Sequence, residues 1–333
     1  MNVCVYGAGA VGGSIAARLA ASGENVSVIA RGAQLDAIRE RGLVVLAGDQ
    51  RIEVRVRCTG DPAELGPQDL VVVALKGQQL PAIAEPLGRM LAAGAHVLFA
   101  MNGVLWWFAD GLPFTVPPAL AQSLDPRGAL RRCIPPQRIL GAVVHSANEV
   151  IEPGVVVNTS PQRNRLVVGA AYGASAQAVT DIAETFARAG YEAPVTPTIR
   201  QDLWSKLVLY MGVSPIAALT HCALDGLIGD PAAYEMMAGL MRETIAIGDR
   251  LGFEYTGDPA TQLAFFRDKP TRPSMLQDFE LGREPELAGS VLAVAAIAEA
   301  VDVSAPRLET VATLLRLKAM NVGRPLPLAI GRP

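Results

Sequence analysis

The sequence predicts two parts, an α/β domain built on a mostly parallel sheet and an all-helical domain after it. Three observations carry this expectation. A strand-like run, a glycine turn and an Ala-rich helical run open the chain in immediate succession. A continuous apolar run at residues 69–75 suits a parallel strand covered on both faces, and further strand-like runs follow at 95–101 and 138–145. From about residue 199 strand signals stop, and helical stretches separated by Gly and Pro fill the rest. Pro194, Pro197 and the small residues around them mark the expected boundary, giving residues 1–196 and 197–333. A chain of 333 residues suits two domains at roughly 100–200 residues each.

Asn2–Tyr6 reads as the first strand, residues 13–21 as a helix, and residues 25–30 as a second strand. A helix over residues 33–41 follows. Residues 43–47 and 51–58 then read as a hairpin joined through Gly48-Asp49, decorating the main sheet. The apolar run 69–75 ends at Lys76, residues 81–91 read as a helix, and the run 95–101 empties into Asn102-Gly103. Residues 112–136, rich in Pro, read as helix plus connection. Short strands over 138–145, 155–157 and 165–168 suggest that the sheet turns antiparallel late, and residues 174–189 form a helix with Gly190 beyond its end. Helices are then expected over residues 199–219, 234–251, 259–266, 287–301 and 306–321.

Half of the residues are hydrophobic and mean hydropathy is +0.29, from Ala, Val and Leu spread through the elements. The most apolar stretch, residues 287–303, is interrupted by Ser290, Glu299 and Asp302 and makes a poor membrane span. A net charge of -3 with scattered Arg and Lys offers nothing to nucleic acid or an anionic membrane. Cys4, Cys58, Cys133 and Cys222 lie far apart without C-x-x-C pairs, so neither a metal site nor a disulfide scaffold is expected. Together with a core strand beginning at residue 2, this suggests a cytoplasmic protein with reduced thiols. The Ala-rich segment 287–300 suits a homodimer interface as well as a core.

Gly7, Gly9 and Gly12 stand in G-x-G-x-x-G spacing between strand and helix. The first glycine allows the tight turn, the second lets backbone approach a pyrophosphate, and the third lets helix pack on strand. Gly7, Ala8, Gly9, Ala10, Val11 and Gly12 are thus the expected cofactor turn of a Rossmann-type domain, with the diphosphate at the helix N-terminus. At the end of the second strand, where an acidic residue would hold a ribose 2′-hydroxyl, stands Arg31. A guanidinium pairs with a 2′-phosphate, which favours NADP(H) over NAD(H); a solvated arginine is the plainer alternative. Lys76 and Asn102 follow strand ends, where an open parallel sheet binds ligands. A cation there suits a phosphate or carboxylate, although Lys at a helix start and Asn-Gly in a turn also have ordinary structural uses.

In the helical part, Lys206, Tyr210 and Ser214 recur at i, i+4 and i+8, one face of a helix that is otherwise apolar. Pro215 comes only after them, and its ring is expected to kink the helix near Met211. A lysine ammonium beside a ketone stabilises and protonates the oxygen formed by hydride transfer, and the active site is expected in a cleft between the domains. A surface lysine on an amphipathic helix accounts equally for the residue alone. His145 and His221 are read as structural.

The chain resembles the ketopantoate reductase (2-dehydropantoate 2-reductase) family along nearly its whole length. The resemblance rests on GAGAVG at 7–12, Arg31, Leu75-Lys76, Asn102-Gly103, His145-Ser146-Ala147, Pro153-Gly154, Trp204-Ser205-Lys206 and Ser274-Met275-Leu276-Gln277-Asp278, in order and approximate spacing. It implies NADPH-dependent reduction of a small-molecule 2-oxo acid, ketopantoate giving pantoate, with Lys206 as general acid. It implies further that Lys76, Asn102 and Ala147 line the cofactor site and that Ser274 contacts substrate. Glu286 would meet the cofactor, with Glu284 a nearby competitor. Ser274 also reads as an N-cap. The family usually places Asn four and often eight residues after the lysine to hold substrate, and this chain has Tyr210 and Ser214 there. Asn102, Tyr210, Ser214 and Ser274 are the expected substrate-binding residues. The substitutions leave open another 2-oxo acid or ketone as substrate, and a non-catalytic NADP(H)-binding protein is the remaining alternative.

Overall fold

The computed structural model describes residues 1–321, which divide by their contacts into two units. The first joins Met1–Met101 to Gly128–Ile199, and the second joins Asn102–Arg127 to the chain from Arg200 onward. The segment 102–127, part of the first domain in a division at residue 196, belongs by its contacts with the second unit. Its tethers explain why. The Val104 N–H donates to the Gly289 carbonyl at 2.6 Å, and the Arg200 guanidinium donates to the carbonyls of Trp107 and Phe108 at 3.2 and 2.9 Å.

In chain order the elements begin β1 (Asn2–Tyr6), α1 (Ala10–Ala21), β2 (Asn25–Ile29), α2 (Gly32–Arg41), β3 (Leu43–Ala47), β4 (Gln50–Val54) and β5 (Arg57–Thr59). They continue β6 (Gln68–Val73), α3 (Ala84–Arg89), β7 (Leu91–Phe99), α4 (Pro118–Leu124), α5 (Ala129–Cys133), β8 (Ile139–Val144), β9 (Asn148–Glu152), β10 (Val155–Asn158), β11 (Leu166–Ala170) and α6 (Ala176–Arg188). All but α4 belong to the first unit. Its main sheet has seven strands in the order β11-β8-β7-β6-β1-β2-β5. Every pairing is parallel except β11 on β8, so the sheet does turn antiparallel late. Strand order reverses at β1, where Val3 lies opposite Val26 of β2 on one side and Leu70 of β6 on the other. That reversal is the switch point at which open parallel sheets bind ligands.

A second sheet, β4-β3-β10-β9, packs on α1. A Cβ at Gly13 would stand 3.0 Å from Val156 of β10, so this glycine permits the close approach. Covered by both sheets, α1 is buried from Gly12 to Leu19, and its Ala-rich, weakly amphipathic sequence follows from burial all round. The run 51–58 is one stretch of alternation in sequence, but it serves two sheets. Gln50–Val54 pairs back on β3, and Arg57–Thr59 joins the main sheet beside β2. No turn residue separates the halves, so period-2 patterning alone merged them.

The second unit holds α4 and the helices α7 (Ile199–Thr220), α8 (Leu224–Gly229), α9 (Pro231–Arg250), α10 (Pro259–Ala264), α11 (Ser274–Glu280), α12 (Val291–Ala300) and α13 (Pro306–Asn321), the first residue of α7 lying in the first unit. α7 runs unbroken through Pro215. By length and composition it could cross a membrane, yet 67% of its apolar window is buried in the protein, as in a core helix. It is seated on α9 by two close approaches. A Cβ at Gly212 would meet Met241 at 2.5 Å, and one at Gly248 would run into the Trp204 ring. Trp204, fully buried, donates from Nε1 to the Thr244 carbonyl at 3.1 Å and stacks on Phe108 at 5.9 Å. The α9 carboxylate of Glu243 in turn accepts the N–H groups of Arg307 and Leu308, closing the start of α13.

Candidate active site

The glycine turn separates three roles that one motif combines. Gly7, at φ +106°, sits where a Cβ would press 2.7 Å from both the Ala74 carbonyl and Leu75 after β6. A Cβ at Gly12 would overlap the Gly7 carbonyl, so this residue closes the helix onto the turn. Gly9 differs: a Cβ there would meet nothing within 4 Å, and the residue is exposed. It is also the position before α1, with no side chain capping the helix. The first N–H groups of α1 therefore face an open, uncapped space with no acidic residue in the first turn, which fits a pyrophosphate. Ala8 is buried, while Ala10 and Val11 are partly exposed beside that space.

Arg31 is exposed at the position before α2, and its guanidinium lies against the Tyr6 hydroxyl. Burial pushes the Tyr6 phenol up while the Arg31 charge and hydrogen bond oppose it, so the arginine stands at the carboxyl ends of β1 and β2. Its α2 neighbour Gln34 donates to the Ala8 carbonyl at 2.8 Å and ties this helix to the glycine turn. Lys76 follows the end of β6 by three residues and opens a 3-10 turn in which its N–H donates to Gln79 Oε1 at 3.0 Å. Ala147 precedes β9 and is exposed, with its N–H donating to Ser160 Oγ at 2.8 Å. The first unit thus supplies a strand end, an open helix N-terminus and two cations of the kind a dinucleotide's phosphates need.

In the second unit the polar stripe of α7 meets a defined set of partners. Lys206 Nζ donates to Asn102 Oδ1 at 2.7 Å. Burial pulls the lysine down from 10.5 to about 8, and the nearby Glu286 carboxylate opposes that fall. Burial pushes the Tyr210 phenol up, Glu286 adds to the push, and hydrogen bonds with Ser290 and Ser214 oppose it. Ser214 is 2% exposed. Gly103, at φ +82°, lets the turn carrying Asn102 close on Gly289, because a Cβ there would overlap the Gly289 carbonyl. The turn 102–104 and the segment 286–290 therefore clasp one another, each bringing one group to Lys206.

Lys206, Asn102, Tyr210, Ser214 and Glu286 come together, and Glu286 rather than Glu284 supplies the charge felt by Lys206. Ser274 is exposed and is the first residue of α11. Pro273 holds the N-cap position and Ser274 makes no capping bond, which corrects the N-cap reading; Pro273 fixes an extended φ of -60° just ahead of the helix. Ser290, 2% exposed, is the participant that sequence reasoning missed as a polar group. Its signal was present only as an interruption in the apolar stretch 287–303.

The family model described as "Ketopantoate reductase PanE/ApbA" matches residues 3–172, and its C-terminal counterpart matches residues 198–319. A 2-dehydropantoate 2-reductase of Mesorhizobium japonicum is 34% identical over 325 residues, covering 97% of this chain and 99% of its own. A Ralstonia solanacearum MolK2 crystal structure assigned as a ketopantoate reductase superposes with a TM-score of 0.87 at 35% identity, covering 97% of this chain and 98% of its own. The ternary structure of a D-mandelate dehydrogenase with NADH and anilino(oxo)acetate superposes at 0.82 with 17% identity, covering 97% of this chain and 100% of its own, which shows a shared fold.

Proposed function

Since this chain belongs to the ketopantoate reductase family, we propose that it is an NADPH-dependent reductase of a 2-oxo acid, with 2-dehydropantoate, giving pantoate, as its leading substrate. The observation that carries the reading is Lys206 itself, a partly buried lysine held by Asn102 and Glu286 with its proton affinity lowered to about 8. A nicotinamide dinucleotide, when bound, supplies the hydride. Gly9 and the first turn of α1 offer N–H groups to its diphosphate, and Arg31 and Lys76 offer cations to its phosphates.

Reduction leaves negative charge on the former carbonyl oxygen, and Lys206 donates a proton there. An ammonium has three donors; Asn102 Oδ1 takes one and fixes the direction of the others. Lowered proton affinity makes the lysine a readier donor near neutral pH than a lysine in water. Glu286 keeps enough positive charge on it to remain loaded below pH 8.

A second reading, reduction of a different 2-oxo acid, is favoured by Tyr210 and Ser214. Their hydroxyls are bonded to each other and to Ser290, so they present fewer free polar groups to a hydroxylated substrate. The test follows NADPH absorbance over a panel of 2-oxo acids, repeated with NADH. The proposal expects the highest kcat/KM with 2-dehydropantoate and NADPH. A clearly higher value with another 2-oxo acid selects the second reading, and binding of NADPH without oxidation across the panel refutes both.

A further inference from the structure

The polar stripe of α7 ends in a cluster of hydroxyls. Ser290 Oγ donates to the Glu286 carbonyl, which uses its only proton. The Tyr210 hydroxyl is in hydrogen-bonding contact with both Ser290 and Ser214. Ser214, Tyr210 and Ser290 thus form one hydroxyl cluster that ends on the backbone of Glu286. Ser290 ties Tyr210 to the segment that carries the glutamate.

That segment has a second anchor. The Gly289 carbonyl accepts the Val104 N–H at 2.6 Å, next to the turn that presents Asn102. Ser290 is the residue common to these ties: it follows Gly289, stands just ahead of α12, and is buried. It makes no capping bond to α12, the ordinary use of a serine at a helix start, because its hydroxyl is turned back to Glu286.

We propose, resting on the reductase reading, that Ser290 is a positioning residue: its hydroxyl, bonded to Tyr210 and to the Glu286 carbonyl, holds the Glu286 carboxylate beside Lys206 and so keeps the proton donor loaded. Among the described residues, Glu286 acts on Lys206, and Glu286 and Asp278 act on Tyr210; Asp278 is itself paired with Arg283 at 3.3 Å. Loss of the Ser290 hydroxyl releases Glu286, weakens its attraction for the ammonium and lets Lys206 lose its proton at lower pH.

The chain has only Lys76, Lys206, Lys269 and Lys318, so trace acetylation read by mass spectrometry reports the titration of Lys206 against exposed Lys269 without relying on turnover. In Ser290→Ala the Lys206 midpoint is expected to fall by about half a pH unit or more, with the alkaline limb of kcat moving equally and KM for the oxo acid changing less than about threefold. Tyr210→Phe, which removes the same bond and keeps the ring, shifts it the same way, and Ser290→Thr, which keeps the hydroxyl, restores the wild-type midpoint. An unmoved midpoint in folded Ser290→Ala overturns the proposal; if that variant does not fold, an unmoved midpoint in Tyr210→Phe does so. Failure of the wild type to reduce any 2-oxo acid would refute the reductase reading, while the acetylation arm still decides the role of Ser290.

Discussion

Replacing Glu286 by Gln removes the charge that opposes the fall in Lys206 proton affinity while keeping side-chain length. In the native protein the lysine titrates at about 8. About nine-tenths of it then carries a proton at pH 7 and about one-tenth at pH 9. Reduction needs the protonated form, so its rate is retained below pH 8 and falls about tenfold per pH unit above it. Oxidation of the hydroxy acid needs the neutral amine, so that direction rises through the same pH and then levels off. An opposite charge within hydrogen-bonding or near-contact range shifts a group by about 1–3 units, and the partly exposed position of Glu286 places its effect at the lower end, about one unit. Glu286→Gln is therefore expected to move both limbs toward lower pH by about one unit, so that reduction is already falling above pH 7. Initial rates in both directions between pH 6 and 10 measure it. A native limb near 10, or limbs that Glu286→Gln leaves in place, would refute the electrostatic coupling.

The dinucleotide residues yield two contrasts. Arg31→Ala should raise KM for NADPH by about 10–100-fold, the loss of one charge-assisted pair, and leave KM for NADH within about threefold; equal effects on both cofactors would rule out a 2′-phosphate contact. Gly9→Ala should melt within about 2 °C of wild type, because a Cβ there meets nothing, yet bind NADPH at least about tenfold more weakly by fluorescence titration. Gly12→Ala, whose Cβ would overlap the Gly7 carbonyl, should instead lose about 2 kcal/mol or more in urea unfolding. A stable Gly12→Ala protein, or undiminished NADPH binding by Gly9→Ala, would show that the turn is not built as described.

Local patterns made much of this molecule legible. Gly7, Gly9 and Gly12 lie within six positions, and their strand, turn and helix are neighbours in sequence as in space. Buried parallel strands such as Gln68–Val73 announce themselves as apolar runs, and the i, i+4, i+8 stripe of Lys206, Tyr210 and Ser214 is a local property of one helix. What escaped depends on long-range pairing. The alternation of residues 51–58 carries no sign that its two halves serve different sheets. Association of segment 102–127 with the helical unit depends on Val104 meeting Gly289, 185 positions along the chain. Ser290 was hidden for the same reason, since its importance lies in Tyr210, 80 positions earlier, and in a backbone carbonyl one helical turn before it. The Tyr210 and Ser214 hydroxyls were expected to face substrate; their bonds to each other and to Ser290 became visible only with the fold.

The central claim is that Lys206 donates the proton in a hydride-transfer reduction, and the most direct measurement is single-turnover NADPH oxidation by Lys206→Ala with the best 2-oxo acid of the panel. Loss of the donor is expected to slow turnover by about 10²- to 10⁴-fold, with NADPH affinity by fluorescence titration within about threefold of wild type. A variant that oxidises NADPH at near the native rate would contradict the account.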